Sequence, residues 1–526
     1  MNTPSRKPFL ISTALIDLGI RAEQSIVRHE RKCLLSALSI LGLSAIYDAC
    51  TKPLWFDEFF TLFVSRLPSL KEMLRAVPAD SQPPMQDLVT HLSLRFLGES
   101  EFALRLPETL AYLAAGALTY RIARKHGTAV QALFAVLLLL GATVNSIQEC
   151  TARPYGLLVA FTALTFACWQ SAASREAHRT LALCGVTVGL AGAILSHHFG
   201  VIHTGVFLAA GEAMRLIQRR KFDVWMLIAI LLGTSTLSIT YPMARQSHIV
   251  LGYAHIHSSG FWAQPTIRDL FFYLWMVALP PLCFVGIFSF LPWSKKIDAG
   301  SDATIPPVPA YEWAAAGSLS LLLPGLVITA AFGYGYFIQR YVVSTSLGLA
   351  LLVSWKLPRL RNLRLGAQPL LALSSTCSVV LTTVALILGE LHLPVTSHPG
   401  AGAVSTVLLN APGYLPIIVG DAQEYPPDWW YSTPSIKARL LYLFDVPYAL
   451  KQSDFIPELS LVAGKPYTPL PLSGFAAFIS NHPHFLLFYS GVPRRNWIAP
   501  RLVSLGWHLN PIGKSGEDVL YQVDSP

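Results

Sequence analysis

Charge is scarce in this chain. Only 13% of its 526 residues are Asp, Glu, Lys or Arg, while 53% are hydrophobic, whereas about a quarter of the residues of an ordinary soluble domain are charged. That balance excludes a water-soluble globule and reads as a membrane protein. Acids are scarcer than bases, 30 against 39, leaving a net charge of +9. In a soluble protein this excess would suggest nucleic acid, but here the bases collect in short loops between apolar runs, so topology accounts for them and no nucleic-acid partner is expected. Cysteine is also thin: seven residues, no C-x-x-C pair and none beyond Cys377, which excludes a disulfide scaffold and a cysteine metal cluster. No internal repeat and no low-complexity tract is present, and paired repeats are what many transporters show.

Long apolar runs are what the chain has. At roughly 20 residues per crossing of a ~30 Å hydrocarbon layer, candidate spans fall at 33–49, 102–120, 129–144, 156–173, 181–195, 201–216, 224–239, 270–291, 314–332, 342–355 and 369–388, about eleven in all. Residues 1–32, carrying Arg6, Lys7, Arg21, Arg28, Arg31 and Lys32, read as a cytoplasmic N-terminal segment. Alternation from that start puts RIARK (121–125), RLIQRRK (215–221), SKK (294–296) and KLPRLRNLR (356–364) on one side, the positive-inside pattern. It puts a first loop of about residues 50–100, the ARPYG turn (152–156), the segment around His255 and everything after Glu390 on the other. The last part, 391–526, changes character, with Pro and Gly punctuating strand-like runs at 415–420, 484–491 and 518–523 and helical spacing at 471–480 and 496–507. The expected organisation is a cytoplasmic segment (1–32), a helical membrane domain (33–390) and a small α/β domain outside the membrane (391–526).

One stretch conflicts with its surroundings. KPLWFDEFFTLF (52–63) sets Asp57 and Glu58 side by side among aromatic residues, although a charge at the bilayer centre costs about 2.5–3.5 kcal/mol on insertion scales. Adjacent residues diverge by about 100° on a helix, so one carboxylate can face a cavity while the other makes a structural contact. Next, LKEMLRAV (70–77) spaces Leu70, Met73, Leu74 and Val77 along one face, the pattern of a helix lying on a membrane surface. It is followed by ADSQPPMQ (79–86), in which Asp80 precedes a stiff Pro83-Pro84 bend.

The order of these pieces, with FALRLP (102–107) opening the second span, ARPYG after the third and QRYV (339–342) opening a late one, resembles the polytopic C-type glycosyltransferases. The resemblance is to the group containing protein O-mannosyltransferases and aminoarabinose-lipid A transferases, and it covers roughly residues 33–390. It implies transfer of a sugar from a polyprenyl phosphate to an acceptor outside the cytoplasm, in a bacterial inner membrane, with inversion at the anomeric carbon. By the same resemblance the first-loop acid, Asp57, is the catalytic residue. The residues fit that chemistry: a carboxylate can remove the proton of a sugar hydroxyl, and guanidiniums suit a phosphate leaving group. Arg105, Arg153 and Arg340 all fall at the outer ends of spans, with Glu58, Asp80, Pro84, Tyr155, His198 and Tyr341 as supporting or substrate-binding candidates. The α/β domain is unlike the insertions of the eukaryotic mannosyltransferases, so a lipid or glycan acceptor is expected rather than protein.

Asp80 with His255 and His257 is the set from which a divalent metal site could be built, although no metal-ligand spacing supports it. A multi-span transporter or flippase of lipid-linked or small solutes is the alternative class. Transporters gather ionisable groups near the midplane, whereas here they gather at one face.

Overall fold

The computed structural model describes residues 13–80, 82–142, 145, 148, 150–174, 178–246, 271, 306–332, 339–356, 372, 374–377, 379, 380, 384, 404–452, 457–490 and 495–526. The chain divides into two compact units, one made of Met1–Tyr47, Leu106–Thr240 and Pro265–Leu393, the other of Asp48–Arg105, Tyr241–Gln264 and Pro394–Pro526.

The first unit is helical. Its described elements are α1 (Thr13–Arg28), α2 (Glu30–Thr51, whose last residues enter the second unit), α6 (Glu101–Arg124, shared likewise), α7 (Ala129–Leu140), α8 (Tyr155–Ala173), α9 (Arg179–Ser196), α10 (Gly200–Arg219), α11 (Val224–Thr234), α12 (Ala310–Ser320), α13 (Leu322–Phe332) and α14 (Thr345–Lys356). Among the described residues four helices, α2, α8, α9 and α10, are long and apolar enough to cross a membrane, or five if α11 and Leu237–Gln246 form one bent span. The expected span at 314–332 is two helices, because Pro324 falls in the first turn of α13 and has no N–H to carry the ladder across the break. The expected spans at 270–291 and 369–388 lie largely outside the described residues. An unforeseen helix, α1, occupies the N-terminal segment and buries Ile26 in the core that α7 helps to form.

Small residues set the packing. Gly185, Gly189 and Gly192 line the face of α9 against α8, where a Cβ would collide with Cys168, Thr165 and Phe161 in turn; close backbone approach of this kind is the usual means of helix association in lipid. Apolar side chains also point outward, Leu181 and Leu231 being 72% and 59% exposed, as hydrocarbon solvent requires.

The second unit holds α3 (Phe56–Ser65), α4 (Leu70–Asp80), α5 (Met85–Leu97) and a six-stranded sheet of order β3-β2-β1-β4-β6-β5. The strands are β1 (Ile417–Val419), β2 (Leu440–Phe444), β3 (Leu472–Gly474), β4 (His484–Tyr489), β5 (His508–Ser515) and β6 (Asp518–Asp524). β1 pairs in parallel with β2 (Ile417 opposite Leu440) and with β4 (Ile417 opposite Leu486), and β6 runs antiparallel to β4 and β5. The three expected strands are present. β2, β3 and β5 were not foreseen. β2 (LLYLF) is a short, unbroken apolar run whose two faces are both largely buried, so alternation is absent; β5 is a polar edge strand whose Pro511 sits at a register shift. The expected helix at 471–480 begins as β3 and becomes helical only over Phe475–Ile479.

The first loop packs with this sheet domain. Helix α15 (Tyr425–Tyr431) touches α3, and α16 (Pro457–Gly464) touches α4. The DWWY stretch (428–431) is part of that contact: the Trp430 ring lies 6.0 Å from Phe59 and 6.1 Å from Phe63, and the Tyr431 hydroxyl accepts from the Leu54 N–H at 2.9 Å and meets Glu101 at 3.0 Å. On α4, Met73, Ala76 and Val77 are buried while Leu70 and Leu74 are 52% and 41% exposed, so the predicted apolar stripe splits between protein and surroundings. Beyond the carboxyl end of β1, Asp421, Glu424 and Asp428 lie close enough to act on one another. Burial, then Asp421 and Asp518, opposed by Arg495, push Glu424 up to about 7.

Candidate active site

Asp57 and Glu58 both fall in the first turn of α3, which Trp55 begins in extended conformation. Carboxylates are favoured there by the exposed N–H groups of the helix end. Their environments differ. Glu58 is fully buried; its carboxylate accepts the Trp55 N–H at 3.1 Å and grips Arg105 through Nε at 2.8 Å and Nη2 at 2.7 Å. Asp57, one residue earlier, is only half-buried. The pair therefore splits as the 100° divergence predicts.

Arg105, expected to hold phosphate, has other partners. Besides the two bonds to Glu58, it donates to the carbonyls of Ala49 (3.0 Å), Lys52 (2.5 Å) and Pro53 (2.8 Å). A guanidinium has five N–H donors, and these five bonds use them all. Buried at 2% exposure, Arg105 ties the end of α2 and the turn after it to the start of α3, thereby fixing where Asp57 stands. Asp80, at the end of α4, is buried and receives the Thr61 hydroxyl of α3 at 3.5 Å, while Pro84, also buried, precedes α5 as its cap.

In the helical unit, Arg153, Tyr155, Arg340 and Tyr341 gather around His197. Its ring centroid is 5.6 Å from Tyr155, 5.7 Å from Phe199 and 5.4 Å from Tyr341, with Phe199 stacked on Tyr341 at 5.2 Å. The Arg340 guanidinium carbon lies 5.9 Å from the Tyr155 ring centroid, within cation–π range. His197 stands in the turn between α9 and α10; burial first, then the charges of His198, His203, Arg153 and Arg340, lower its pKa well below the ordinary imidazole value. His198, the candidate from sequence, is half-buried beside it. The fold thus brings Arg153, Tyr155, His198, Arg340 and Tyr341 together within this unit, while Asp57, Glu58, Asp80, Pro84 and Arg105 belong to the other.

Sequence reasoning missed Glu108, and of the adjacent His197 and His198 in SHHFG it chose His198 as the site candidate. Glu108, fully buried in α6, accepts the N–H groups of Gly156 (2.6 Å) and Leu157 (3.2 Å), capping α8. A Cβ at Gly156 would lie 2.7 Å from both the Glu108 carbonyl and its carboxylate, so glycine is needed for the approach. The signal was available: Glu108 is an acid inside an expected span, directly after LP. Among the described residues no three His, Cys, Asp or Glu side chains are placed to hold a metal ion. His255 and His257 lie outside the described residues, as does Glu149, a possible partner for Arg153.

Against known structures, the chain is similar to ArnT from Cupriavidus metallidurans in the apo state, at 14% identity and a TM-score of 0.55 over 93% of this chain and 97% of that one. It has the C-type glycosyltransferase fold. ArnT of the same organism bound to undecaprenyl phosphate matches at 15% identity and 0.54, over 97% and 98% of the two chains. Residues 81–239 match the family model of dolichyl-phosphate-mannose-protein mannosyltransferases, a segment running from the Asp80 bend through the ARPYG turn to α11. A sequence comparison with curated proteins finds no match. The likeness to ArnT spans both units, so the C-type fold here includes the sheet domain that the sequence resemblance left out.

Proposed function

We propose that this protein is a membrane glycosyltransferase that moves a sugar from a polyprenyl-phosphate donor to a hydroxyl of a lipid or glycan on the non-cytoplasmic face. The observation that carries the reading is the C-type fold shared, over nearly the whole chain, with a protein crystallised with undecaprenyl phosphate. Asp57 is the general base. It removes the acceptor hydroxyl's proton as that oxygen attacks the anomeric carbon, the bond from that carbon to the phosphate oxygen breaks, and the configuration inverts. The electron pair leaves on the polyprenyl phosphate. Arg153 and Arg340 neutralise that developing charge, the effect that usually dominates such catalysis, and Tyr155, His197 and Tyr341 hold the two guanidiniums. Arg105 and Glu58 act through Asp57 by fixing its turn.

The test supplies membranes carrying wild type or Asp57→Asn with polyprenyl-phosphate sugars radiolabelled in the sugar, and follows label into lipid, glycan and protein fractions. Label is expected in lipid or glycan with wild type alone. Equal transfer by both would remove Asp57 from the mechanism, and label crossing the membrane still attached to its carrier would favour a flippase.

A further inference from the structure

A second feature of the helical unit owes nothing to the proposed transfer. Helices α9, α10 and α11 enclose a cavity of about 390 Å³, within the ordinary size of ligand pockets. Its walls include Leu190, Gly205, Leu208, Ala209, Met226 and Ile230, and its lining runs from Lys221 to Thr234 along α11. Eleven residues of α11 span about 16 Å at 1.5 Å each, a depth suited to an extended hydrocarbon chain. Gly205 and Ala209, one turn apart on α10, keep the floor open; a Cβ at Gly205 would meet nothing within 4 Å.

One end is charged. Arg215, Arg219 and Lys221 line it with Glu212 and Asp223. The two acids are already engaged, Glu212 by Arg215 at 2.5 Å and Asp223 by Arg215 at 3.0 Å and Arg179 at 2.6 Å, so four cations face two carboxylates. Arg215, 3% exposed, spends its two terminal nitrogens on these acids and so anchors the charged end. Phe222 and Trp225 flank this end at 79% and 65% exposure, as aromatic side chains do at headgroup depth.

We propose that this groove binds one anionic phospholipid of the adjoining leaflet, with an acyl chain along α11 and the phosphate against Arg219 and Lys221. The occupant follows from the shape and charge together: an apolar slot of chain length that opens at a cationic rim beside interfacial aromatics suits a lipid with a negative headgroup. The arrangement does not depend on Asp57 or on the donor.

Native mass spectrometry of the purified full-length protein, equilibrated with equimolar phosphatidylglycerol and phosphatidylcholine, tests this. Wild type is expected to retain phosphatidylglycerol over phosphatidylcholine by about 5- to 30-fold, the discrimination of one or two basic side chains. Arg219→Ala with Lys221→Ala is expected to abolish that preference but leave a retained lipid, and Gly205→Leu or Ala209→Phe to lower retention of both lipids. Gly205→Leu fills open space and so is expected to fold; monodispersity and an unchanged unfolding midpoint check this. Equal retention of the two lipids by wild type, or phosphatidylglycerol retention unmoved by both filling variants, would overturn the proposal.

Discussion

The two units use their candidate arginines in different ways. In the second, Arg105 and Glu58 are matched to each other, and backbone carbonyls take the remaining donors. In the first, Arg153 and Arg340 both act on the buried His197 ring, beside Tyr155 and Tyr341, and Arg153 also acts on the buried Glu108 carboxylate. A guanidinium whose five donors are all spent on its own chain can only position. The difference teaches that an arginine at the end of a span cannot be assigned a role from its place in the sequence.

Variants would break or sharpen that contrast. Asp57→Asn is expected to lower transfer about 10²- to 10⁴-fold, the usual loss of a general base, with the unfolding midpoint unchanged. Arg105→Ala is expected to destabilise the protein by about 3–5 kcal/mol, because it strands Glu58 as an unpaired buried charge, and calorimetry would read this as a lost or lowered transition. Arg340→Ala should do the reverse, reducing turnover by about 10²–10³ as a lost transition-state contact does while leaving the melting transition near wild type. Equal effects of the two arginine variants on stability and on turnover would erase the distinction.

Acidity provides another probe of how the sheet domain buries charge. Glu424 has a pKa of about 7, against 4.5 for an unburied Glu, because burial and the neighbouring Asp421 and Asp518 oppose its ionisation. The folded state therefore holds more protons than the unfolded chain between those values. Its stabilising contribution is complete below about pH 4.5 and is lost as pH rises through 7, on the order of 3 kcal/mol in all. Wild type should unfold at a lower temperature at pH 7.5 than at pH 5, and Glu424→Gln should shrink that difference. The smallest effect is expected at Gly156, where Ala crowds the Glu108 carboxylate; about 1–3 kcal/mol of destabilisation would appear as a lower chemical-denaturation midpoint.

Much of the architecture was legible in the chain because its signals are local. A long apolar run announces a span wherever it packs, so the positions of α8, α9 and α10 followed from composition. The strands β1, β4 and β6 were bounded by Pro and Gly. β2 and β5 were not legible, since one lacks alternation by being buried on both faces and the other is polar by lying at an edge. The divergence of Asp57 from Glu58 followed from helical geometry, but which of them would be buried did not.

The sequence by itself determined the solvent this protein lives in, the approximate places of its described spans and the oddity of acids beside α3, because hydropathy and helical period act residue by residue. Only the tertiary structure decided that Arg105 is saturated, that His197 rather than His198 is the centre of the ring cluster, and that the first loop packs with the sheet. Each of those depends on partners tens to hundreds of residues away, and a side chain's remaining hydrogen-bonding capacity is known only once every such partner is in place.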